Sequence, residues 1–138
     1  MNKTIGFLIT VSLLMTFGGC VLKGQQNLGT KTAVYHKLSV EEAKKVLDED
    51  SSTILLDVRA KAEFSENHIV GATSLPLPDI EANAATWFPH KDALILVYCR
   101  SGVRSKAAAN LLVSMGYTRV YDIGGIKDWP YDTEPSQQ

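Results

Sequence analysis

Residues 93–115 read ALILVYCRSGVRSKAAANLLVSM, and this stretch decides the fold. Its first six residues are the most apolar of the predicted strand segments, which indicates a buried central strand over 93–98. Residues 105–115 are rich in alanine and leucine and precede Gly116, which predicts a helix ended by a glycine. This order places Cys99 at the carboxyl end of a parallel strand, where open α/β sheets bind their ligands.

The segments on both sides of this stretch alternate between strand and helix patterns. A short apolar run rich in branched residues predicts a strand over 53–58, and further strands are expected over 72–77, where prolines end the segment, and over 119–123. A capping box at 39–42 precedes apolar residues at helical spacing, and a further helix is expected over 79–87. Because strands that alternate with helices form parallel sheets covered on both faces, the predicted fold class is α/β.

The loop that begins at Cys99 combines several features that stabilise an anion. Gly102 permits a tight turn, which aims successive backbone amides inward. The helix expected to start near residue 105 adds the positive end of its dipole, and Arg100 and Arg104 add two positive charges. Together these features favour the thiolate of Cys99 and lower its pKa. A cysteine that only packs in the core is the alternative interpretation.

Residues 99–105, CRSGVRS, resemble the active-site loop of the rhodanese-like sulfurtransferases. Further matches lie in the same order as in that family: LDVR at 56–59, EF at 63–64, HI at 68–69, GA at 71–72, and GG at 124–125 followed by Trp129. One departure is Val70, where the family usually has proline. The resemblance covers residues 36–130.

The resemblance implies a five-stranded, mostly parallel sheet with helices on both faces. It also implies that Cys99 is the catalytic nucleophile, which takes the outer sulfur of thiosulfate or a similar donor and yields it to cyanide or a thiol. No metal and no organic cofactor is implied. The residues that would bind the substrate are Arg100, Ser101, Gly102, Val103 and Arg104.

Other reactions also use a cysteine and an arginine to hold an anion, so an arsenate reductase or a phosphatase is a competing interpretation. Related phosphatases on this fold have a loop one residue longer, and the six residues from Cys99 to Arg104 favour sulfur transfer instead. A sulfur carrier or binding module that hands sulfur to a protein partner would have the same sequence, so this alternative stays open.

Four polar residues are candidates for further roles near the loop. Asp57 and Arg59 are expected to form a structural pair near a strand end, and they are also candidates for supporting the loop. Ser101 and Ser105 have hydroxyls that could donate to a bound anion or cap the following helix. The sequence leaves both roles open.

The first 19 residues are typical of a secretory signal peptide, with Lys3 before an uncharged apolar run at 5–17. FGGC at 17–20 resembles the lipobox of bacterial lipoproteins, in which the cysteine takes a diacylglycerol. We therefore expect a signal peptide over 1–19, lipidation of Cys20 and a tether over 20–35. The rhodanese-like domain is expected over 36–132, with a tail over 133–138.

The expected location is the cell envelope. Val21 does not resemble the aspartate that retains lipoproteins at the inner membrane, so we expect the outer membrane facing the periplasm, or the outer face of a single membrane. A net charge of −1 without a basic stripe argues against nucleic acid as a partner. The expected partners are a small anionic sulfur donor, a thiol or cyanide acceptor, and the membrane through the lipid anchor. We expect a monomer.

Overall fold

The computed structural model describes residues 34–137, and these residues form a five-stranded parallel sheet. Its strands are β1 (His36–Lys37), β2 (Ile54–Asp57), β4 (Thr73–Ser74), β5 (Leu94–Cys99) and β6 (Arg119–Gly125). Their order across the sheet is β1-β6-β5-β2-β4, and all four neighbouring pairs are parallel. The structure therefore confirms the predicted five-stranded parallel sheet.

Helices cover both faces of this sheet, as predicted. Helix α1 (Val40–Glu49) begins with the predicted capping box, in which Ser39 and Glu42 bond to each other's backbone amides. It packs on one face, and α3 (Ile80–Trp87) and α4 (Val103–Ser114) pack on the other. The short helix α2 (Lys61–Glu66) follows β2.

Strand β5 is central because its residues are apolar on both sides. Ile95, Val97 and Cys99 pack in the core under α3 and α4, whereas Leu96 and Tyr98 pack in the core on the opposite face. All five side chains are at most 1% exposed. A strand with two buried faces has no need of alternating polar residues, which explains the continuous apolar run in the sequence.

A second, two-stranded antiparallel sheet joins β3 (His68–Ile69) to β7 (Thr133–Glu134). Strand β7 lies within the segment 133–138 that was expected to be a tail. Neither two-residue strand shows a detectable periodicity, so the sequence did not predict this pairing. The part of the chain that packs with the domain thus extends beyond residue 132.

Helix α4 begins two residues earlier than the sequence predicts. Its N-cap is Gly102, whose φ of +97° lets the chain turn directly from the loop into the helix at Val103. The expected start near Ser105 is therefore wrong, because Val103 and Arg104 belong to the first helical turn. As a result, Arg104 projects from a helix and not from the loop.

The expected signal peptide over 1–19, the lipidated Cys20 and most of the tether over 20–35 lie outside the described residues. Among residues 34–137, no helix has the length and apolar character needed to cross a membrane.

Candidate active site

Cys99 ends β5 at the carboxyl edge of the sheet and is 1% exposed. The backbone amide of Gly102 donates a hydrogen bond to its Sγ across 3.1 Å. This contact requires the chain to fold back within three residues, and the positive φ of Gly102 makes the turn possible. The loop therefore holds backbone donors against the sulfur, as the sequence analysis expected.

The pKa of the Cys99 thiol is lowered, although its burial acts in the opposite direction. Burial raises this pKa by penalising the charged form. Hydrogen bonds from the amide and the hydroxyl of Ser105, and from the amides of Gly102 and Ser101, outweigh the burial. The thiolate is thus stabilised mainly by fixed dipoles of the loop and of the first turn of α4.

A close backbone contact fixes the loop on the end of β6. A Cβ atom placed on Gly125 would overlap the Arg100 carbonyl, so a side chain at this position would push the loop away. The Arg100 carbonyl also accepts a hydrogen bond of 3.3 Å from the amide of Lys127. Gly125 therefore matters for the site because it lets the loop approach β6.

Arg104 forms a bidentate ion pair with Glu63 of α2, with N–O distances of 2.6 and 2.9 Å. Both side chains are about one-third exposed. Hydrogen bonding to Arg104 is the main reason that the pKa of Glu63 falls to about 2. Glu63 is also the main cause of the raised pKa of Arg104, to which the Cys99 thiolate adds. The pair ties α2 to the start of α4.

Arg100 is exposed, and no carboxylate within residues 34–137 forms an ion pair with it. It lines a cavity of about 350 Å³ beside the loop. Lys127 contributes a second cation to this cavity, and Glu66 contributes a carboxylate. Arg100 in the loop and Arg104 in the first turn of α4 therefore lie in different settings, because Arg104 is paired with Glu63 whereas Arg100 faces an open cavity.

Asp57 and Arg59 form the structural pair that the sequence predicts. Arg59 donates from Nε and Nη2 to the Asp57 carboxylate at 2.6–3.0 Å, and both side chains are at most 6% exposed. Nη2 of Arg59 also donates to the Asn67 carbonyl at 2.6 Å, just before β3. Arg59 lines the cavity beside Arg100 as well.

The remaining predicted residues of the loop differ in exposure. Ser101 is exposed and Val103 is 76% exposed, so both lie at the rim of the site. Ser105 is fully buried, and its Oγ lies 2.7 Å from Oδ1 of Asp122 on β6. Its hydroxyl faces the interior of the protein and is not available to a substrate outside the loop.

Sequence reasoning missed two residues of this region. Glu63 lies in the EF pair at 63–64, but nothing in that pair indicates its contact with Arg104, and the contact of Asp122 with Ser105 was not predicted. The signal for Asp122 was a carboxylate inside the predicted strand segment RVYDI, where a buried charge requires hydrogen-bond partners. For the part of the chain from 34 to 137, no cluster of three or more potential metal ligands is found.

A family model of the rhodanese-like domain matches residues 39–131. The chain belongs to the rhodanese-like family. It is 38% identical over 73 residues to the thiosulfate sulfurtransferase PspE of Escherichia coli, which covers 53% of this chain and 70% of that protein. It is 32% identical over 99 residues to the thiosulfate sulfurtransferase GlpE of Tolumonas auensis, with coverages of 69% and 88%.

The name of a third relative describes a putative sulfur carrier and not a sulfurtransferase. The chain is 31% identical over 113 residues to the putative sulfur carrier protein YrkF of Bacillus subtilis, which covers 81% of this chain and 60% of that protein. These relatives support sulfur transfer as the activity at the level of the rhodanese-like family.

Solved structures confirm the fold of this rhodanese-like chain. A rhodanese with anions from E. coli is 33% identical and superposes with a TM-score of 0.58, covering 61% of this chain and 99% of that one. The rhodanese-like domain of the Alr3790 protein from Anabaena is 28% identical, with a TM-score of 0.67 and coverages of 75% and 81%. The predicted rhodanese-like fold is thereby confirmed.

Proposed function

We propose that this protein transfers a sulfane sulfur from thiosulfate, or a similar small anionic donor, to cyanide or a thiol through a persulfide on Cys99. The observation that carries the proposal is the set of hydrogen-bond donors around Cys99 Sγ, which lowers the pKa of the thiol despite its burial. A thiolate is the nucleophilic form of cysteine, so these donors increase the reactive fraction near neutral pH.

In the first half-reaction, the Cys99 thiolate attacks the outer sulfur of thiosulfate. A new S–S bond forms to Sγ, the S–S bond of thiosulfate breaks, and sulfite leaves with the bonding electron pair. The negative charge of the enzyme then lies on the outer sulfur of the persulfide. Inward-facing amides of the loop and the first turn of α4 stabilise this anion, as they stabilise the thiolate.

In the second half-reaction, the acceptor attacks the outer sulfur of the persulfide. Cyanide carbon forms a bond to that sulfur, the S–S bond to Sγ breaks, and thiocyanate leaves while the Cys99 thiolate is regenerated. A thiolate acceptor would leave as a new persulfide by the same exchange of bonds. No proton needs to be transferred in either half-reaction when donor and acceptor are anions.

The length of the loop favours sulfur transfer over a phosphatase or an arsenate reductase, because six residues run from Cys99 to Arg104 and related phosphatases on this fold have a loop one residue longer. The similarity to a putative sulfur carrier favours one further candidate, in which Cys99 passes its sulfur to a protein partner.

Turnover with thiosulfate and cyanide tests the proposal, with thiocyanate formation as the readout. We expect wild-type protein to form thiocyanate and Cys99→Ser to lose activity by about a thousandfold or more, because the nucleophile is absent. Cys20→Ser removes the other cysteine and should retain the activity. Activity that survives in Cys99→Ser would reject the proposal. A persulfide that forms without thiocyanate turnover would favour the carrier.

We also propose that the mature protein is anchored in the cell envelope by lipid on Cys20, in the outer membrane facing the periplasm where the cell has two membranes. This rests on the sequence of residues 1–20 alone. Two acyl chains give stable attachment, whereas one gives only marginal binding. The wild type should fractionate with membranes and Cys20→Ser should not. Recovery of the wild type as a soluble, unacylated protein would contradict the anchor.

A further inference from the structure

The cavity beside the loop contains unpaired charges of both signs. Arg100 and Lys127 contribute two cations, and Glu66 at the end of α2 contributes a carboxylate. All three side chains are exposed, and within the described part of the chain none of them forms an ion pair. Their charges therefore remain available to a molecule that enters the cavity.

The other two charged residues of this cavity are already neutralised inside the protein. Arg59 binds the Asp57 carboxylate, and the Glu63 carboxylate binds Arg104. The charges that a ligand can use are thus two positive and one negative. Ile126 adds an apolar surface for the carbon atoms of such a ligand.

Backbone pairing places this cavity beside the nucleophile. Cys99 is the register partner of Gly125 on the neighbouring strand β6, and adjacent strands are about 4.8 Å apart. Arg100 follows Cys99, and its carbonyl accepts the hydrogen bond from the Lys127 amide. Residues 126 and 127 therefore run along the loop that carries the sulfur, so a small molecule in the cavity can extend toward a persulfide on Cys99.

The carboxylate of Glu66 is unfavourable for the sulfur donor. Thiosulfate carries only negative charge, so Glu66 opposes its binding while Arg100 and Lys127 favour it. The acceptor enters after sulfite has left, when both cations are free again. An acceptor that carries an ammonium group and a carboxylate would match all three unpaired charges.

The volume of the cavity is sufficient for such an acceptor. It is about 350 Å³. Since a water molecule occupies about 30 Å³ in the liquid, the cavity has room for about a dozen groups of that size. An amino acid with a thiol side chain is smaller than this.

We propose that the acceptor selected by this site is a small thiol that also carries an ammonium group and a carboxylate, as cysteine does. Its carboxylate binds Arg100 and Lys127, and its ammonium group binds Glu66. This inference rests on the proposed function, because it assigns the acceptor of the Cys99 persulfide.

The transfer step exchanges one S–S bond for another. The acceptor thiol loses its proton to solvent, and its thiolate attacks the outer sulfur of the persulfide. A new S–S bond forms, the bond between Sγ and the outer sulfur breaks, and Cys99 keeps the electron pair as a thiolate. The product is the persulfide of the acceptor, and no oxidant or reductant is consumed.

Single-turnover transfer to four acceptors tests the charge assignment. Cys99 is loaded with thiosulfate, the donor is removed, and intact mass follows the loss of the added sulfur. The acceptors are cysteine, 3-mercaptopropionate with only the carboxylate, cysteamine with only the ammonium group, and 2-mercaptoethanol with neither. Because their thiols differ in acidity, the rate constant of each variant is compared with that of the wild type for the same acceptor.

Glu66→Gln and Lys127→Met should shift the preference among these acceptors in opposite directions. Glu66→Gln should slow cysteine and cysteamine about fivefold and accelerate 3-mercaptopropionate about twofold, because it removes a negative charge. Lys127→Met should slow cysteine and 3-mercaptopropionate about threefold and accelerate cysteamine. The rate with 2-mercaptoethanol should respond to neither change. Equal effects on all four acceptors, or no effect on any, would overturn the proposal.

Glu81→Gln on α3 and Lys106→Met on α4 provide the matched controls. Both residues are exposed and do not line the cavity. The two variants should leave all four rate constants unchanged.

Binding to the unloaded protein separates this inference from the proposed function. S-methylcysteine has no free thiol, so it can bind in the cavity but cannot accept sulfur. It should shift the ¹⁵N amide resonances of Glu66 and Lys127, at a severalfold higher concentration in Glu66→Gln. If thiosulfate does not load Cys99, the proposed function is wrong, while this titration still decides whether the cavity binds the zwitterion. No shift, or equal titrations of the two proteins, would contradict the inference.

Discussion

The arginines near Cys99 differ in whether a carboxylate neutralises the charge of the guanidinium. Arg59 and Arg104 each bind a carboxylate through two nitrogens, and they connect β2, α2 and α4. Arg100 is exposed beside the cavity and has no ion-pair partner among residues 34–137. The paired arginines therefore stabilise the relative positions of the elements around the site, whereas the positive charge of Arg100 remains available to an anionic substrate.

Breaking the most buried pair should have the largest effect. Arg59→Ala leaves the carboxylate of Asp57 fully buried without its cation, so it should lower the free energy of unfolding by about 3–5 kcal/mol in a urea titration. Arg119→Ala, which removes an exposed arginine from β6, should change it by less than about 0.5 kcal/mol. A loss below about 1 kcal/mol for Arg59→Ala would show that the pair is not structural.

Breaking the partly exposed pair of Arg104 and Glu63 should affect catalysis more than stability. Arg104→Ala removes the tie between α2 and α4 and part of the positive charge at the loop, so kcat/KM for thiosulfate should fall by about ten- to hundredfold. The free energy of unfolding should fall by about 1 kcal/mol or less, because the pair is partly solvated. If Arg104→Ala changes only KM, Arg104 contributes to substrate binding as Arg100 does, and the distinction between the two arginines is wrong.

The fold and the position of Cys99 at the end of the central strand could be predicted from the sequence because their signals are local. Strand β5 and helix α4 follow from one apolar run and one run of alanine and leucine, and Cys99 lies between them. The setting of Arg104 could not be predicted in the same way. Its partner Glu63 is 41 residues away, and a salt bridge between distant segments leaves no periodic pattern.

Three of the shortest strands could not be predicted from the sequence either. Strands β1, β3 and β7 have two residues each, which is too few to show alternation. The start of α4 at Val103 was missed because it depends on the backbone angle of Gly102 and not on a capping side chain. Asp122 was missed because its role depends on Ser105, which only the packing of α4 against β6 brings near.

Removing the positive charge of Arg100 should weaken thiosulfate binding and leave turnover and stability nearly unchanged. Arg100→Ala should raise KM for thiosulfate by about five- to tenfold and change kcat less than about twofold, because its charge is exposed and holds no other element. Added salt should reduce the difference from the wild type, since it screens exposed charges. Lys127→Ala should have a smaller effect in the same direction, and Lys106→Ala on α4 serves as the control. A loss of stability in Arg100→Ala would contradict this assignment.

The smallest effect should come from the titration of Glu63. Its pKa is about 2 in the folded protein against an ordinary value of 4.5, so it binds a proton more readily when unfolded. Its contribution to stability is therefore complete above pH 4.5 and is lost as the pH falls toward 2. Glu63→Gln should lower stability at neutral pH and make the decline between pH 4.5 and 2 shallower. If the stability of the two proteins falls in parallel between pH 4.5 and 2, the ion pair between Glu63 and Arg104 does not stabilise the fold.

The most direct test of the central claim is the intact mass of the purified protein after incubation with thiosulfate. The account predicts the addition of one sulfur atom, located on the peptide that contains Cys99 and removed again by cyanide. The Cys99→Ser protein should keep its original mass. An unchanged mass of the wild type, or added sulfur that remains in Cys99→Ser, would contradict the account.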